Sequence, residues 1–123
     1  MTDKVLKVGV MSFEDYKRRT TAIAKGEYRP GKDEPKIWFE SVQSMARVLS
    51  NENQELLKTI IRQKPNSLKE LEEVTGRKAG TLSRRLKEMA RYGIVELVRQ
   101  SRGTKPIVRA TDFRVEFGIH TSF

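Results

Sequence analysis

The sequence predicts an α+β fold, mainly helical, in which a run of helices leads into a small β-hairpin and a strand–helix extension stands in front. Three observations carry this expectation. Apolar residues recur at helical spacing through four stretches between residues 41 and 92. Serine, glycine and proline punctuate the ends of those stretches. After Gly93, two short runs rich in β-branched residues flank the polar segment Ser101-Arg102-Gly103-Thr104-Lys105, which reads as a hairpin tip.

The elements follow in order. Residues 4–11 (KVLKVGVM) read as a short strand. Ser12 is placed to cap a helix over 13–25, with Glu14 and Asp15 favourable in its first turn and Gly26 ending it. Residues 27–35 (EYRPGKDEP) hold two prolines and a glycine and predict a loop. The expected boundary lies there, with a strand–helix extension over 1–35 and the principal domain over 36–119. KIWFE (36–40) predicts a second strand, and Ser41 a helix start, with Val42, Met45, Ala46 and Leu49 on one side. The next helix, over 52–63, carries Leu56, Leu57, Ile60 and Ile61 and is stopped by Pro65-Asn66. Ser67 with Glu70 has the form of a capping box, opening a helix with a stripe of Leu68, Leu71 and Val74 that ends at Gly76. Residues 79–92 form the most regular helical pattern, with Leu82, Leu86 and Met89 as the apolar stripe, Ala79 and Ala90 beside it, and Gly93 at its end. Strands are expected over 94–100 and 106–111, and a third strand or an extended tail over 112–119.

The chain of 123 residues suits one compact domain with a short extension. Its 25 Lys+Arg against 16 Asp+Glu give +9, which points to a polyanionic partner. The charge is concentrated: residues 77–109 hold ten basic and two acidic residues, a net of +8, and the rest of the chain nets +1. A binding face looks like this; general solubilisation does not. No apolar run approaches the ~20 residues that span a bilayer, and the amino terminus lacks the pattern of a signal peptide. Without cysteine there is neither a disulfide nor a thiolate metal site. A soluble cytoplasmic protein is the expectation.

Three helices followed by a basic hairpin are the layout of a winged helix-turn-helix. Its second, recognition helix must pack one stripe on the core and present donors to phosphates and base edges on the other. Residues 79–92 meet both demands. Thr81, Ser83, Arg84 and Arg85, in the amino-terminal part, are expected nearest the bases, and Lys78, Lys87 and Arg91 at phosphates. Arg can bond a guanine edge bidentately, whereas Ser and Thr make more permissive contacts. Arg99, Arg102 and Lys105 form the basic wing, suited to the backbone or the minor groove.

SLKELEEVTGRKAGTLSRRLKEMARYGIV (67–95) resembles winged-helix transcriptional regulators of prokaryotes, broadly the MarR-like class. YRPGKDEPKIWFES together with TLSRRLKEM resembles a family of small predicted regulators, some of which act as antitoxins encoded beside a toxin. The likeness runs from about Phe13 to Gly118, and its more specific part lies at Pro30, Pro35, Trp38 and Phe39. It implies binding of double-stranded DNA at the protein's own promoter, and toxin binding by the amino-terminal part. Arg85 departs from the pattern, which leads one to expect a smaller polar residue there.

The competing readings are weaker. An RNA-binding winged helix has the same charge requirement. Trp38 and Phe39 fit a core or dimer contact better than base stacking. Glu70, Glu72 and Glu73 fit capping and a solvated face better than acid–base chemistry, so no enzyme is expected. His120 stands alone and supports no metal site, and Gly9, Gly31 and Gly80 form no phosphate loop. No cofactor is implied. Val5, Leu6, Val8, Val10, Phe13, Tyr16, Ile23 and Ala24 leave apolar surface that predicts a homodimer contact, and Lys17-Arg18-Arg19 would add contacts to the DNA backbone.

Overall fold

Serine side chains start four of the helices, and Ser41 at the start of the second accepts from the Ser44 N–H at 3.0 Å. Ser12, Ser50 and Ser67 accept hydrogen bonds from the N–H groups of Asp15, Asn53 and Glu70 at 3.2, 3.2 and 3.1 Å, each such cap contributing about 1 kcal/mol. The computed structural model describes residues 4–119. Its order is β1 (Val5–Val10), α1 (Phe13–Ala24), β2 (Ile37–Phe39), α2 (Val42–Val48), α3 (Asn51–Gln63), α4 (Leu68–Thr75), α5 (Ala79–Arg91), β3 (Val95–Gln100), β4 (Gly103–Val108) and β5 (Asp112–Glu116). The fold is α+β, and no helix among the described residues is long and apolar enough to cross a membrane. His120 lies outside the described residues.

The chain divides into two compact units. One comprises residues 48–112 with 4–5, and the other residues 6–47 with 113–119. In the first, Leu56, Leu57 and Ile60 of α3, Leu71 of α4, and Leu82, Leu86 and Met89 of α5 are buried with Ile94 and Val95. The helical spacing predicted most of this core. Val74 is the exception: it is 48% exposed, and the eight-residue α4 fully buries Leu71 alone. In α2 the buried residue is Val48, whereas Val42 and Ala46 are exposed. The Glu70 carboxylate accepts from the Asn66 N–H (3.2 Å) rather than from that of Ser67, so the capping box closes one residue early.

Strands β3 and β4 pair antiparallel from Val95↔Val108 to Gln100↔Gly103. The turn is therefore Ser101-Arg102, and Gly103 takes a φ of 123° that a side chain would resist. Lys105 lies within β4 opposite Val98, not at the tip. Pro106 also lies inside the strand, opposite Leu97, where a two-stranded sheet tolerates its missing N–H.

In the second unit β1 and β2 pair parallel, Val8↔Ile37, Gly9↔Trp38 and Val10↔Phe39. Parallel neighbours need a long crossover, which α1 and the loop after it supply. The proline-rich loop is thus internal to this unit and separates no domains; residues 36–47 group with what precedes them. The sheet order is β2-β1-β5. The carboxy-terminal segment consequently joins β1 and adds no third strand to the hairpin.

Arg19, only 7% exposed, explains the loop. Its guanidinium stands 5.2 Å from the Trp38 ring centroid and 5.7 Å from that of Tyr28, with Nη2 3.7 Å from Glu34 Oε2. The Tyr28 hydroxyl donates to Glu34 Oε1, and the Gly31 N–H donates to Oε2 at 2.6 Å. The Tyr28 bond, with the Gly31 N–H and Arg19 in support, holds the Glu34 carboxyl below its ordinary value of 4.5, and burial opposes that shift. The same bond raises the Tyr28 hydroxyl above its ordinary value of 10.0.

The signs follow from linkage. Glu34 contributes stability that is present above its unfolded value and is lost as pH falls through the lower folded one. Tyr28 contributes stability that is present below its unfolded value and is lost as pH rises through the higher folded one. The midpoint of thermal unfolding followed by fluorescence of Trp38, the single tryptophan, should fall as the solution is acidified from neutrality through the carboxylate range. Glu34→Gln should lower the midpoint at pH 7 and flatten its acid limb. An acid limb of unchanged slope in Glu34→Gln would contradict this assignment.

Candidate nucleic-acid interface

Three residues, Gly76-Arg77-Lys78, separate α4 from α5. Gly76 C-caps α4 with a φ of 71°, and its N–H donates to the Glu72 carbonyl at 2.8 Å. A tight reversal between two helices needs a residue that enters this left-handed region without strain. The chain then enters α5, which packs on α4 and β3.

The burial of Leu82, Leu86 and Met89 fixes the rotation of α5. Gly80, Arg84, Lys87 and Arg91, at i, i+4, i+7 and i+11, fall on the opposite side and are all exposed. Thr81 and Ser83 lie half-buried on the two flanks. The outward stripe thus combines three basic residues with a glycine that leaves the amino-terminal turn bare. Among the described residues, no carboxylate lies within ion-pair distance of Lys78, Arg84, Lys87, Arg99, Arg102 or Lys105. Arg99 and Arg102 are exposed on the hairpin, and Lys105 is half-buried. Arg91 sets its guanidinium 6.0 Å from the centroid of the Tyr92 ring.

Arg85 is employed differently. It donates from Nη1 to Asn53 Oδ1 at 3.0 Å and from Nη2 to Glu52 Oε2 at 2.8 Å, tying α5 to the first turn of α3. Asn53 is buried and also donates from Nδ2 to the Val48 carbonyl at 2.8 Å. Arg85 therefore belongs to the packing of the helices, apart from the outward stripe. Its size at that position was the signal for a special role, and its partners 32 and 33 residues away in sequence were not visible there. Arg109 is likewise engaged, donating from Nε to Glu96 at 2.7 Å across the hairpin. In the other unit the basic triplet is mostly committed, Arg18 to Asp15 at 2.7 Å and Arg19 to its aromatic cluster, which leaves Lys17.

The start of α5 differs from that of the serine-capped helices. Its N-cap is Lys78, which makes no side-chain cap bond, and its first turn holds no acid. The helix-end N–H groups and the positive end of the dipole thus have no side-chain cap and no acid in the first turn, a start whose charge suits an anion. Lys78→Ser should therefore raise the unfolding midpoint, by the equivalent of about 1 kcal/mol for a cap gained. The same variant should weaken duplex binding and reduce its salt slope by about one counterion. A lower melting midpoint, or unaltered binding, would speak against this role of Lys78.

No curated protein and no solved structure matches the chain. A family match covers residues 48–115, spanning α3, the two helices of the tight reversal and the basic hairpin. Because that match takes in more than half of the 123 residues, the chain belongs to the HVO_A0114 family.

Proposed function

We propose that residues 48–112 act as a winged helix-turn-helix, and that the protein is a sequence-specific duplex-DNA-binding transcriptional regulator working as a homodimeric autorepressor. In this reading α5 enters the major groove, Thr81, Ser83 and Arg84 meet base edges, and Lys78, Lys87 and Arg91 meet phosphates. The hairpin is the wing, applying Arg99, Arg102 and Lys105 to the backbone. The observation that carries the reading is the stripe of Arg84, Lys87 and Arg91. It is exposed, free of carboxylate partners among the described residues, and opposite a fully apolar packing stripe. Surface helices commonly alternate both signs of charge; this one keeps its outer stripe basic.

Selection of bound DNA from a random duplex pool tests the reading. A palindromic consensus is expected, with half-sites about one helical turn apart. Log affinity for that site should fall linearly with log salt. Recovery of unrelated sequences without a consensus, or displacement of the duplex by structured RNA at lower concentration, would overturn it.

A second reading, an antitoxin that holds a toxin protein and autoregulates, draws support from one feature. Phe13 and Tyr16 stand exposed one turn apart on α1, and Phe13 is 67% accessible. Co-purification with the product of a neighbouring gene, abolished by Phe13→Ser, would favour it.

A further inference from the structure

Strand β5 is the last of the sheet β2-β1-β5, so one of its edges has no strand partner among the described residues. Most of its side chains are exposed: Phe113 is half-buried, Arg114, Val115 and Glu116 are exposed, and Phe117 after it is 64% accessible. Long exposed edges with apolar side chains invite pairing with another chain. Which chain this one suits is written in residues 113–117, Phe-Arg-Val-Glu-Phe.

We propose that two copies of this protein pair antiparallel along β5, with Val115 of each on the two-fold axis, joining the two sheets into one of six strands. In that register Arg114 of one copy faces Glu116 of the other, and the reverse, so the symmetry makes two opposite-charge pairs. Phe113 faces Phe117 twice, and Val115 faces itself. Opposite charges and aromatic pairs are the cross-strand neighbours that favour pairing. Residues 114 and 116 share one face, where Glu116 already bonds Lys7 Nζ at 2.9 Å. Residues 113, 115 and 117 share the other face. A shift of the axis to Arg114 would set the two arginines against each other and Asp112 against Glu116. A shift to Glu116 would oppose the two glutamates, so the sequence selects one register.

The backbone agrees. The Lys4 carbonyl accepts from the Thr111 N–H just before the strand at 3.0 Å and from the N–H of Asp112, the first residue of the strand, at 3.1 Å; the Asp112 bond turns the even-numbered residues of the strand toward β1. Alternation then directs the N–H and C=O groups of Phe113 and Val115 to the open edge. Val115↔Val115 would be a hydrogen-bonded pair, with Cα atoms about 5.5 Å apart. This surface specifies the homodimer of the preceding reading but needs no DNA.

The test uses the full chain without DNA, with mass measured by sedimentation equilibrium across a concentration series. The wild type should form a dimer. Arg114→Glu places glutamates opposite glutamates at both pairs, and Glu116→Arg places arginines opposite arginines, so each should raise the dimer dissociation constant at least about tenfold. Mixed one to one, the two variants should recover a heterodimer, because both pairs are then complementary; that recovery also shows that each variant is folded. In this cysteine-free chain, Val115→Cys should form an intermolecular disulfide on mild oxidation, as the spacing allows, whereas Arg114→Cys should not. A monomeric wild type at tens of micromolar would overturn the proposal. So would single-charge variants that dimerise like the wild type, an interface then lying elsewhere, or a Val115→Cys chain that fails to cross-link. Loss of DNA binding with this dimer intact would count against the regulator reading alone.

Discussion

Arg84→Ala is expected to lower affinity for the preferred duplex by about 1–3 kcal/mol, the range for a bidentate contact to a base edge, and to leave the melting midpoint unchanged. Leu82 and Leu86 lock α5 into the core, which turns Arg84 to the opposite side, exposed and without a carboxylate partner among the described residues. Removing it costs the fold nothing that the structure displays. Binding to random DNA should fall much less than binding to the selected site, so the specificity ratio contracts. Lys105→Ala, by contrast, should weaken both kinds of duplex alike and lower the salt slope by about one. The neighbouring arginine supplies an internal control. Arg85→Ala would strip Asn53 Oδ1 of its partner in a buried position, at a cost of about 1–3 kcal/mol. It should therefore lower the melting midpoint while narrowing specificity less than Arg84→Ala. Equal losses on selected and random DNA for Arg84→Ala would remove that residue from base reading. A stability loss in Arg84→Ala matching that of Arg85→Ala would show that the rotation of α5 has been misassigned.

Gly9→Ala should unsettle the unit built on β1. Gly9 is paired with Trp38 in the parallel register, and the indole lies across it. A Cβ at residue 9 would stand 2.3 Å from Cζ3 and 2.5 Å from Cε3 of that ring. No rigid indole yields by so much without leaving its place, and the ring is one wall of the aromatic cluster around Arg19. Displacing it would remove one of the two aromatic partners of a buried guanidinium as well as overpack the sheet. Overpacking alone costs about 1–3 kcal/mol, and a buried charge that loses its surroundings adds to that. The expected readout is a red-shifted and weakened near-ultraviolet signal from Trp38, with the fluorescence-detected unfolding midpoint lowered by several degrees. Retention of the wild-type tryptophan spectrum would show that the ring does not depend on the bare backbone at Gly9.

Much of the helical unit was legible because its information is local. The i, i+3, i+4 recurrence of Leu56, Leu57 and Ile60, and of Leu82, Leu86 and Met89, places those residues on one side of a helix whatever surrounds it. Ser67 and Gly76 mark the ends of α4 by their own conformational preferences. The hairpin announced itself by strand-forming residues on either side of a glycine-containing turn. Where the periodic signal was short, it misled. Seven-residue α2 and eight-residue α4 bury Val48 and Leu71, but not Val42 or Val74. Two turns of helix do not show which flank of a broad apolar arc will find a neighbour.

The amino-terminal half was harder for a different reason. A loop with two prolines and a glycine reads as a boundary because its composition breaks regular structure. Parallel pairing of β1 with β2 makes it part of a crossover instead. Strand partners are chosen by contacts between residues far apart in the chain, and composition carries no trace of them. The destination of β5 shows the same limit, since a strand following a hairpin can extend it or leave it.

Charge, helix positions, caps and the turn before α5 could thus be read from residue order, because each depends on neighbours within a few positions. Three-dimensional packing alone separated Arg84 from Arg85, buried Arg19 between aromatic rings, and carried β5 to the far edge of β1. Those outcomes depend on which distant groups meet, and side-chain type does not specify that.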